Sequence, residues 1–217
     1  MTKFFADMRE FLPILLQGVW LTIVVTFGSL ILSTLLGMVW ALMRVSPVRA
    51  LQQLAKGIVN GIRGIPILVQ LFYIYFVMPE FGVTLSALQA SIIGLGIAYS
   101  AYQAENFRAG IEAIDKGQIE ASESLGMGWA LMMRRVVLPQ AIKIILPPYG
   151  NIMIMMLKDS SQASTITVAE LALQGKLIAS STFKNTSVFT LVALMYLTMS
   201  IPLILLVRHL EKRAERR

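Results

Sequence analysis

The chain has 217 residues, of which 56% are hydrophobic and only 14% are charged. A soluble domain usually carries about 25% charged residues, so this composition indicates that lipid surrounds most of the surface. The 19 basic side chains exceed the 12 acidic ones and give a net charge of +7. Because the basic residues flank apolar runs, we expect them to lie at a membrane surface, and we expect no nucleic acid partner.

The apolar runs predict an all-α membrane protein with about five transmembrane helices in a single domain, 1–217. The first span, 11–43, contains no charged residue. The second, 54–79, is weaker, because Lys56 and Arg63 fall in its first half and Arg63-Gly64-Ile65-Pro66 disturbs the helix. Proline lacks a backbone N–H, so the freed carbonyl groups need partners inside the bundle or in a wet cavity.

The remaining spans are predicted at 81–106, 136–157 and 185–208. Pro147-Pro148 interrupts the fourth, and we expect a kink there. The polar stretch between the fourth and fifth spans includes Ile166 to Leu173, which is predicted to form a short interfacial helix.

An odd number of spans places the two termini on opposite sides of the membrane. Five basic residues fall on one side and the remaining fourteen on the other. Cytoplasmic segments carry the excess of Lys and Arg, so the N-terminus is predicted outside and the C-terminus in the cytoplasm. The smaller set consists of Lys3, Arg9, Lys158, Lys176 and Lys184.

The longest polar interruption, 117–128, falls on the cytoplasmic side in this topology. It contains Glu120-Ala121-Ser122 and Gly126, and Val136 and Leu138-Pro139 follow at a spacing that is unlikely to arise by accident. We interpret it as a short amphipathic helix at the membrane face that another protein contacts. The alternative is an ordinary surface helix without a partner.

The sequence argues against an enzyme. It lacks the G-x-x-x-x-G-K-[ST] loop that binds ATP phosphates, and it has no cysteine and no His or carboxylate pair at metal-binding spacing. We therefore expect no catalytic residue, no metal and no cofactor on this chain. Energy for transport has to come from ions or from a separate ATPase.

Taken together, these patterns resemble the permease subunits of ABC importers, in the branch that takes up polar amino acids (the histidine/glutamine/arginine permease family). Further stretches carry this resemblance. They are Arg63-Gly64-Ile65-Pro66-Ile67-Leu68-Val69-Gln70-Leu71, Ala101-Tyr102-Gln103-Ala104-Glu105, Arg108-Ala109-Gly110-Ile111, Leu138-Pro139-Gln140-Ala141 and Leu157-Lys158-Asp159-Ser160-Ser161.

The resemblance implies the type I ABC importer permease fold in a bacterial inner membrane. It implies a second permease subunit, identical or sister, two ABC ATPase subunits that bind ATP, and an extracytoplasmic substrate-binding protein that delivers the amino acid. The 117–128 element becomes a coupling helix that contacts the ATPase. The residues expected at that contact are Glu120, Ala121, Ser122 and Gly126.

Asp159 is the residue we expect to meet substrate, because an acidic group within a membrane bundle is costly without a partner. An amino acid offers an ammonium group, whereas the alternative partner is Lys158. The resemblance adds four residues to the substrate path, Ser160, Gln162, Ile67 and Ala98. Gln162 and Ala98 depart from the leucine and asparagine that many relatives have, and Ser122 replaces the usual alanine. Arg63, Glu105 and Arg108 are expected to form salt bridges.

Two other functions stay open at this point. An ion-coupled secondary carrier would move amino acids without an ATPase, although no inverted repeat is evident in the sequence. A membrane scaffold or receptor subunit would not transport at all, and it would leave the disturbed second span and Asp159 without a purpose.

Overall fold

The computed structural model describes residues 2–215, and in that range every regular element is helical. The α-helices are α1 (Thr2–Arg44), α2 (Arg49–Gly64), α3 (Ile67–Phe72), α4 (Ala87–Glu112), α5 (Lys116–Ser124), α6 (Trp129–Met132), α7 (Leu138–Asp159), α8 (Leu171–Thr182) and α9 (Asn185–Glu215). Two π-helical turns, Tyr73–Val77 and Met133–Val137, and two 3₁₀ segments, Met78–Phe81 and Ser160–Ile166, extend or join them.

The all-α architecture is the one that the apolar pattern predicts. Within residues 2–215, α1 and α9 are each long and apolar enough to cross a bilayer, and the bent pair α2–α3 is a third candidate. The predicted spans 11–43 and 185–208 lie inside α1 and α9. The division into five spans stays a prediction, because α4 and α7 do not meet the same length and hydropathy criteria.

Several predicted boundaries differ from the helices. The predicted third span starts at 81, but α4 begins at Ala87, because Gly82 turns the chain at φ 81° and Ser86 caps the helix together with Gln89. The predicted second span, 54–79, is two helices at 97° to each other. In the fourth, α7 starts at Leu138 after a π turn and runs on through Pro147-Pro148 as one helix.

The short helix predicted between Ile166 and Leu173 is wrong. The 3₁₀ segment ends at Ile166, and Thr167 then adopts a left-handed conformation at φ 71°. The helix that does form, α8, begins at Leu171, because the Glu170 carboxylate accepts hydrogen bonds from the backbone N–H groups of Ala172 and Leu173.

Helices α1 and α4 lie in close contact at positions without a side chain. A Cβ at Gly37 would lie 2.6 Å from the Cβ of Gln103, and one at Gly96 would lie 2.7 Å from a methyl carbon of Leu32. Small residues at such crossings let helix backbones approach, which is the main source of packing energy between helices in lipid.

Salt bridges mark the two ends of α1. Glu105 pairs with Arg44, with Arg63 at 3.4 Å and with Arg108 at 2.9 Å, which confirms the expected salt bridges within a single chain. We call the end of the bundle that holds this cluster the α5 end. Near the start of α1, the ammonium of Lys184 donates to Asp7 at 2.7 Å.

That hydrogen bond to Asp7 raises the pKa of Lys184, which lies between α8 and α9. A raised lysine pKa keeps the charged form below its ordinary titration range, so the contact persists through neutral pH and is lost only in strong alkali. Lys184 and Asp7 belong to the end of the bundle that the charge count places outside.

Candidate functional site

A cleft of about 370 Å³ opens between α3, α4 and α7. Its walls are mostly apolar and aromatic, and its only charged group is a carboxylate. Such a lining, with few polar groups at fixed places, is typical of a small-molecule site. The lining residues are Ile67, Tyr99, Tyr102, Ile152, Met155 and Asp159.

Asp159 is the last residue of α7, and its side chain meets α4. The Tyr99 hydroxyl donates a hydrogen bond to Oδ2 of Asp159 at 2.5 Å, and the Tyr99 ring is only 2% exposed. The Tyr102 ring lies one turn further along α4, with its centroid 5.9 Å from that of Tyr99. Within residues 2–215, Asp159 takes part in no ion pair, and the neighbouring Lys158 is exposed. The Lys158 partner considered from the sequence is therefore absent from the described chain.

The cleft contains two of the five residues predicted for the substrate path, Ile67 and Asp159. Ser160 is fully buried and donates its hydroxyl to the carbonyl of Leu157 at 2.7 Å. Ala98 is also fully buried, and Gln162 is partly buried in the 3₁₀ segment that follows α7. None of these three lines the cleft.

Four lining residues were missed by the sequence reasoning, Tyr99, Tyr102, Ile152 and Met155. A signal existed for two of them. Tyr99 and Tyr102 are three positions apart, so on a helix they share one face. Ile152 and Met155 carry no distinguishing feature in an apolar run.

The second candidate surface is α5 with the turn after it. Asp115 caps the helix by accepting a hydrogen bond from the backbone N–H of Gly117 at 2.7 Å. The helix ends at Ser124, four residues before the predicted end at 128. The backbone N–H of Met127 returns to the carbonyl of Ser122 at 3.1 Å, and Gly126 adopts φ 75°.

This arrangement is a Schellman turn, completed by a 2.8 Å bond from the Gly126 N–H to the Glu123 carbonyl. Glycine suits the left-handed position because it has no Cβ to clash with the backbone. Gly126 therefore has a conformational role that the sequence reasoning did not assign. Nothing lies within 4 Å of a Cβ built there, so the same glycine also leaves an open surface.

The two faces of α5 differ. Ile119 and Met127 pack against the apolar cluster that α4 and α7 form at the α5 end. Ser122 joins this inner face at 4% exposure, and its hydroxyl donates to the Gln118 carbonyl at 2.7 Å. Its side chain is thus turned away from an outside partner, unlike the exposed Glu120 and Ala121.

The outer surface also includes Leu125, which is 77% exposed and which the sequence reasoning did not single out. A leucine exposed beside an open glycine turn is an apolar contact point for another protein. The outer surface of α5 and its turn consists of Glu120, Ala121, Leu125 and Gly126.

Comparison with known proteins assigns this fold and these surfaces to a family. Residues 33–216 match the family described as "Binding-protein-dependent transport system inner membrane component". The chain belongs to this family.

Individual relatives agree with that assignment over almost the whole chain. The chain is 39% identical over 201 residues to the probable glutamine ABC transporter permease protein GlnM of Bacillus subtilis, covering 93% of each. It is 41% identical to the probable amino-acid ABC transporter permease protein PatM of Vibrio harveyi, over 88% of this chain and 87% of PatM. The fold matches that of an amino acid ABC transporter crystallised with histidines, with a TM-score of 0.89 and 39% identity over 96% of this chain and 98% of the other.

Membership of the family decides between the functions left open above. The chain is a multi-pass inner membrane permease subunit of an ABC importer and not an ion-coupled carrier or an enzyme in its own right. Importers of this family work with ATPase subunits, on which hydrolysis takes place, and with a binding protein.

Proposed function

We propose that this chain forms the translocation path for polar amino acids in an importer whose ATP is bound and hydrolysed on separate ATPase chains. The observation that carries the substrate class is the single carboxylate of Asp159 in an otherwise apolar and aromatic cleft. The substrates in the printed names of GlnM and PatM, glutamine and amino acids, support the same class.

The cleft chemistry suits a zwitterion better than a sugar or an anion. A carboxylate in a low-dielectric site attracts the substrate ammonium, and the interaction is stronger there than in water. The Tyr99 hydrogen bond orients the carboxylate without neutralising its charge. The Tyr102 ring, 40% exposed, offers an aromatic face to a bound cation.

The outer surface of α5 is the proposed docking point for the ATPase. It brings a carboxylate, Glu120, together with the exposed Leu125 beside the open Gly126 turn. An apolar contact rimmed by a charge is the usual composition of a protein interface. Of the four residues proposed from the sequence, Ser122 contributes from inside, by holding α5 in place.

The inner face of α5 connects this docking point to the cleft. Ile119 packs on the ends of α4 and α7, the two helices that carry Tyr99 and Asp159. These helices are in tight contact at Gly110, where a Cβ would lie 2.3 Å from a carbon of Ile145. Movement of α5 by the ATPase therefore shifts two packed helices that both line the cleft, as alternating access requires.

The full assembly is proposed to contain a second permease subunit, identical to this chain or a sister. The N-terminus is proposed to lie outside and the C-terminus in the cytoplasm of a bacterial cell. The salt bridges support this orientation, because Lys184 and Asp7 meet at one end of α1 and the basic cluster around Glu105 lies at the other.

The test is reconstitution of the assembly in liposomes with its ATPase and a loaded binding protein, over a panel of amino acids. We expect ATP-dependent uptake of one or more polar amino acids and no uptake driven by an ion gradient alone. Glu120→Lys should abolish stimulation of ATP hydrolysis by the binding protein while the chain still inserts. Normal stimulation in Glu120→Lys would overturn the docking assignment, and uptake without ATP would overturn the mechanism.

A further inference from the structure

The break between α2 and α3 leaves a backbone carbonyl without its helical donor. Helix α2 ends at Gly64, α3 begins at Ile67, and the two meet at 97°. In a continuous helix the carbonyl of Ile62 would accept from residue 66, but Pro66 has no N–H. Ile65 is extended, at φ −108° and ψ 129°, so its carbonyl also leaves the helical pattern.

One side chain satisfies both carbonyls. The Nε2 of Gln70 donates to the carbonyl of Ile62 at 2.9 Å and to that of Ile65 at 2.8 Å. The backbone N–H of Gln70 bonds the carbonyl of Pro66 at 3.1 Å, which fixes the start of α3 under the break. A carboxamide has two N–H donors, and here both are used by the two groups that the break exposes.

Each side of the break is also attached to α4. Leu71 is fully buried, and its methyl carbon would lie 2.6 Å from a Cβ at Gly94. On the other side, the guanidinium of Arg63 lies 5.7 Å from the centroid of the Tyr102 ring. The angle between these two attachments is free to change only if the Gln70 hydrogen bonds break.

The bend places a residue of the cleft. Ile67 is the first residue of α3 and lines the cleft that contains Asp159. Its position relative to α7 depends on the direction in which α3 leaves the break. A shift of even 1 Å in a site that positions its ligand has a large effect on rate.

We propose that Gln70 is a positioning residue of the translocation path, whose carboxamide holds the 97° bend and thereby holds Ile67 in the cleft. This inference rests on the proposed function of the cleft. Gln70 itself does not need to touch the substrate.

The test compares Gln70→Met, which keeps the length of the side chain but removes both donors, with Gln52→Met. Gln52 is a matched control, because its Nε2 also donates to a backbone carbonyl, that of Ser46 at 2.7 Å, at the opposite end of α2. A third variant, Gln70→Lys, returns N–H donors on a stem of similar length.

The position of Ile67 can be measured directly, because the chain has no native cysteine. Ile67→Cys and Met155→Cys place two thiols on the cleft walls of the intact assembly, and a bifunctional thiol reagent joins them. In the Gln70→Met background we expect the cross-linked fraction to fall, with uptake per assembled transporter reduced about five- to tenfold, the loss expected for one to two hydrogen bonds. Gln52→Met should leave both unchanged, and Gln70→Lys should restore part of each.

Unchanged cross-linking in Gln70→Met would overturn the proposal, as would equal losses in Gln70→Met and Gln52→Met. If neither Gln70 variant assembles, the two hydrogen bonds serve folding alone and the proposal is wrong. The cross-linking requires no transported substrate. Its failure is therefore distinct from failure of the proposed function, which would appear as absent uptake in the unmodified assembly.

Discussion

The hydroxyl of Tyr99 donates to the carboxylate of Asp159 at 2.5 Å, across a cleft between two helices that are sixty positions apart in the chain. This bond makes α4 and α7 share one acidic group. It occupies one oxygen of Asp159, so the other stays available to a ligand in the cleft. The arrangement separates two roles, because Asp159 supplies charge and Tyr99 supplies direction.

Replacing each partner should therefore have a different effect. Asp159→Asn removes the charge, and we expect uptake of amino acids to fall to background. Tyr99→Phe removes one hydrogen bond to a charged group, worth about 1.5–3 kcal/mol, so uptake should fall by roughly tenfold or more but persist. Initial uptake rates in liposomes measure both.

Lys158→Gln provides the control for these two variants, since Lys158 is exposed and adjacent to Asp159. Its uptake should equal that of the unmodified chain. If Asp159→Asn transports normally, the carboxylate is a structural partner of Tyr99 and not a ligand for the substrate ammonium.

Gly126 and Gly128 provide a matched pair for the α5 turn. Neither has an atom within 4 Å of a built Cβ, but Gly126 has φ 75° whereas Gly128 has φ −66°. Alanine in the left-handed conformation costs roughly 1–2 kcal/mol, and at Gly128 it costs little. We expect Gly126→Ala to lower the stimulation of ATP hydrolysis by the binding protein, whereas Gly128→Ala leaves it unchanged.

Equal stimulation in both variants would mean that the shape of this turn does not matter to the ATPase. Equal loss in both would point to the added methyl group, and not to backbone conformation, as the cause. Quantification of the inserted permease in each membrane preparation accompanies the hydrolysis assay.

The sequence predicted the helical architecture well, because apolar runs bounded by charges survive any detail of packing. It also predicted that Pro66 would free a backbone carbonyl that needs a partner. It did not identify Gln70 as that partner, because the side chain reaches back to Ile62 only when α3 leaves the break at a steep angle. A local pattern does not contain that angle.

Membership of the cleft was harder to predict for a related reason. Successive residues of a helix are about 100° apart, so Ala98 faces the core while Tyr99 faces the cleft. Ser160 differs from Asp159 in the same way. Which face of α4 or α7 is turned inward depends on contacts between distant segments, such as that between Gly110 and Ile145. A single sequence does not reveal such contacts.

Glu105 connects α1, α2 and α4 through its three arginine partners at the α5 end. Its side chain is 24% exposed, so the cluster is partly screened by water. Glu105→Gln would leave Arg44, Arg63 and Arg108 without their shared anion. We expect a loss of about 1–2 kcal/mol, between the values for exposed and buried pairs, measured as a lower temperature of inactivation in detergent.

Glu112→Gln is the appropriate comparison, because Glu112 pairs with Arg108 alone and is 53% exposed. Its variant should change the inactivation temperature much less. A Glu105→Gln assembly that is as resistant to heat as Glu112→Gln would show that packing alone holds these three helix ends together.

Glu170 has the most completely buried carboxylate among the described residues, at 0% exposure, and it joins three helices. Its oxygens accept from the N–H groups of Ala172 and Leu173 at the start of α8, and from the Tyr196 hydroxyl of α9 at 2.7 Å. The Thr22 hydroxyl of α1 adds a weaker contact at 3.4 Å. Glutamate is not among the preferred N-cap residues, which explains why sequence reasoning did not place the start of α8 here.

Glu170→Ala should therefore be the most destabilising of the substitutions considered, because it leaves two backbone N–H groups and a buried hydroxyl without an acceptor. Each such group costs about 1–3 kcal/mol, so a total loss of roughly 3 kcal/mol or more is expected. Tyr196→Phe removes one of these donors and keeps the cap, so it should cost about 1 kcal/mol. Thermal inactivation of the purified assembly measures both, with Glu80→Ala as the exposed control. If Glu170→Ala and Glu80→Ala inactivate at the same temperature, water enters the site and replaces the carboxylate, and α8 is held by its apolar contacts with α1 and α9 alone.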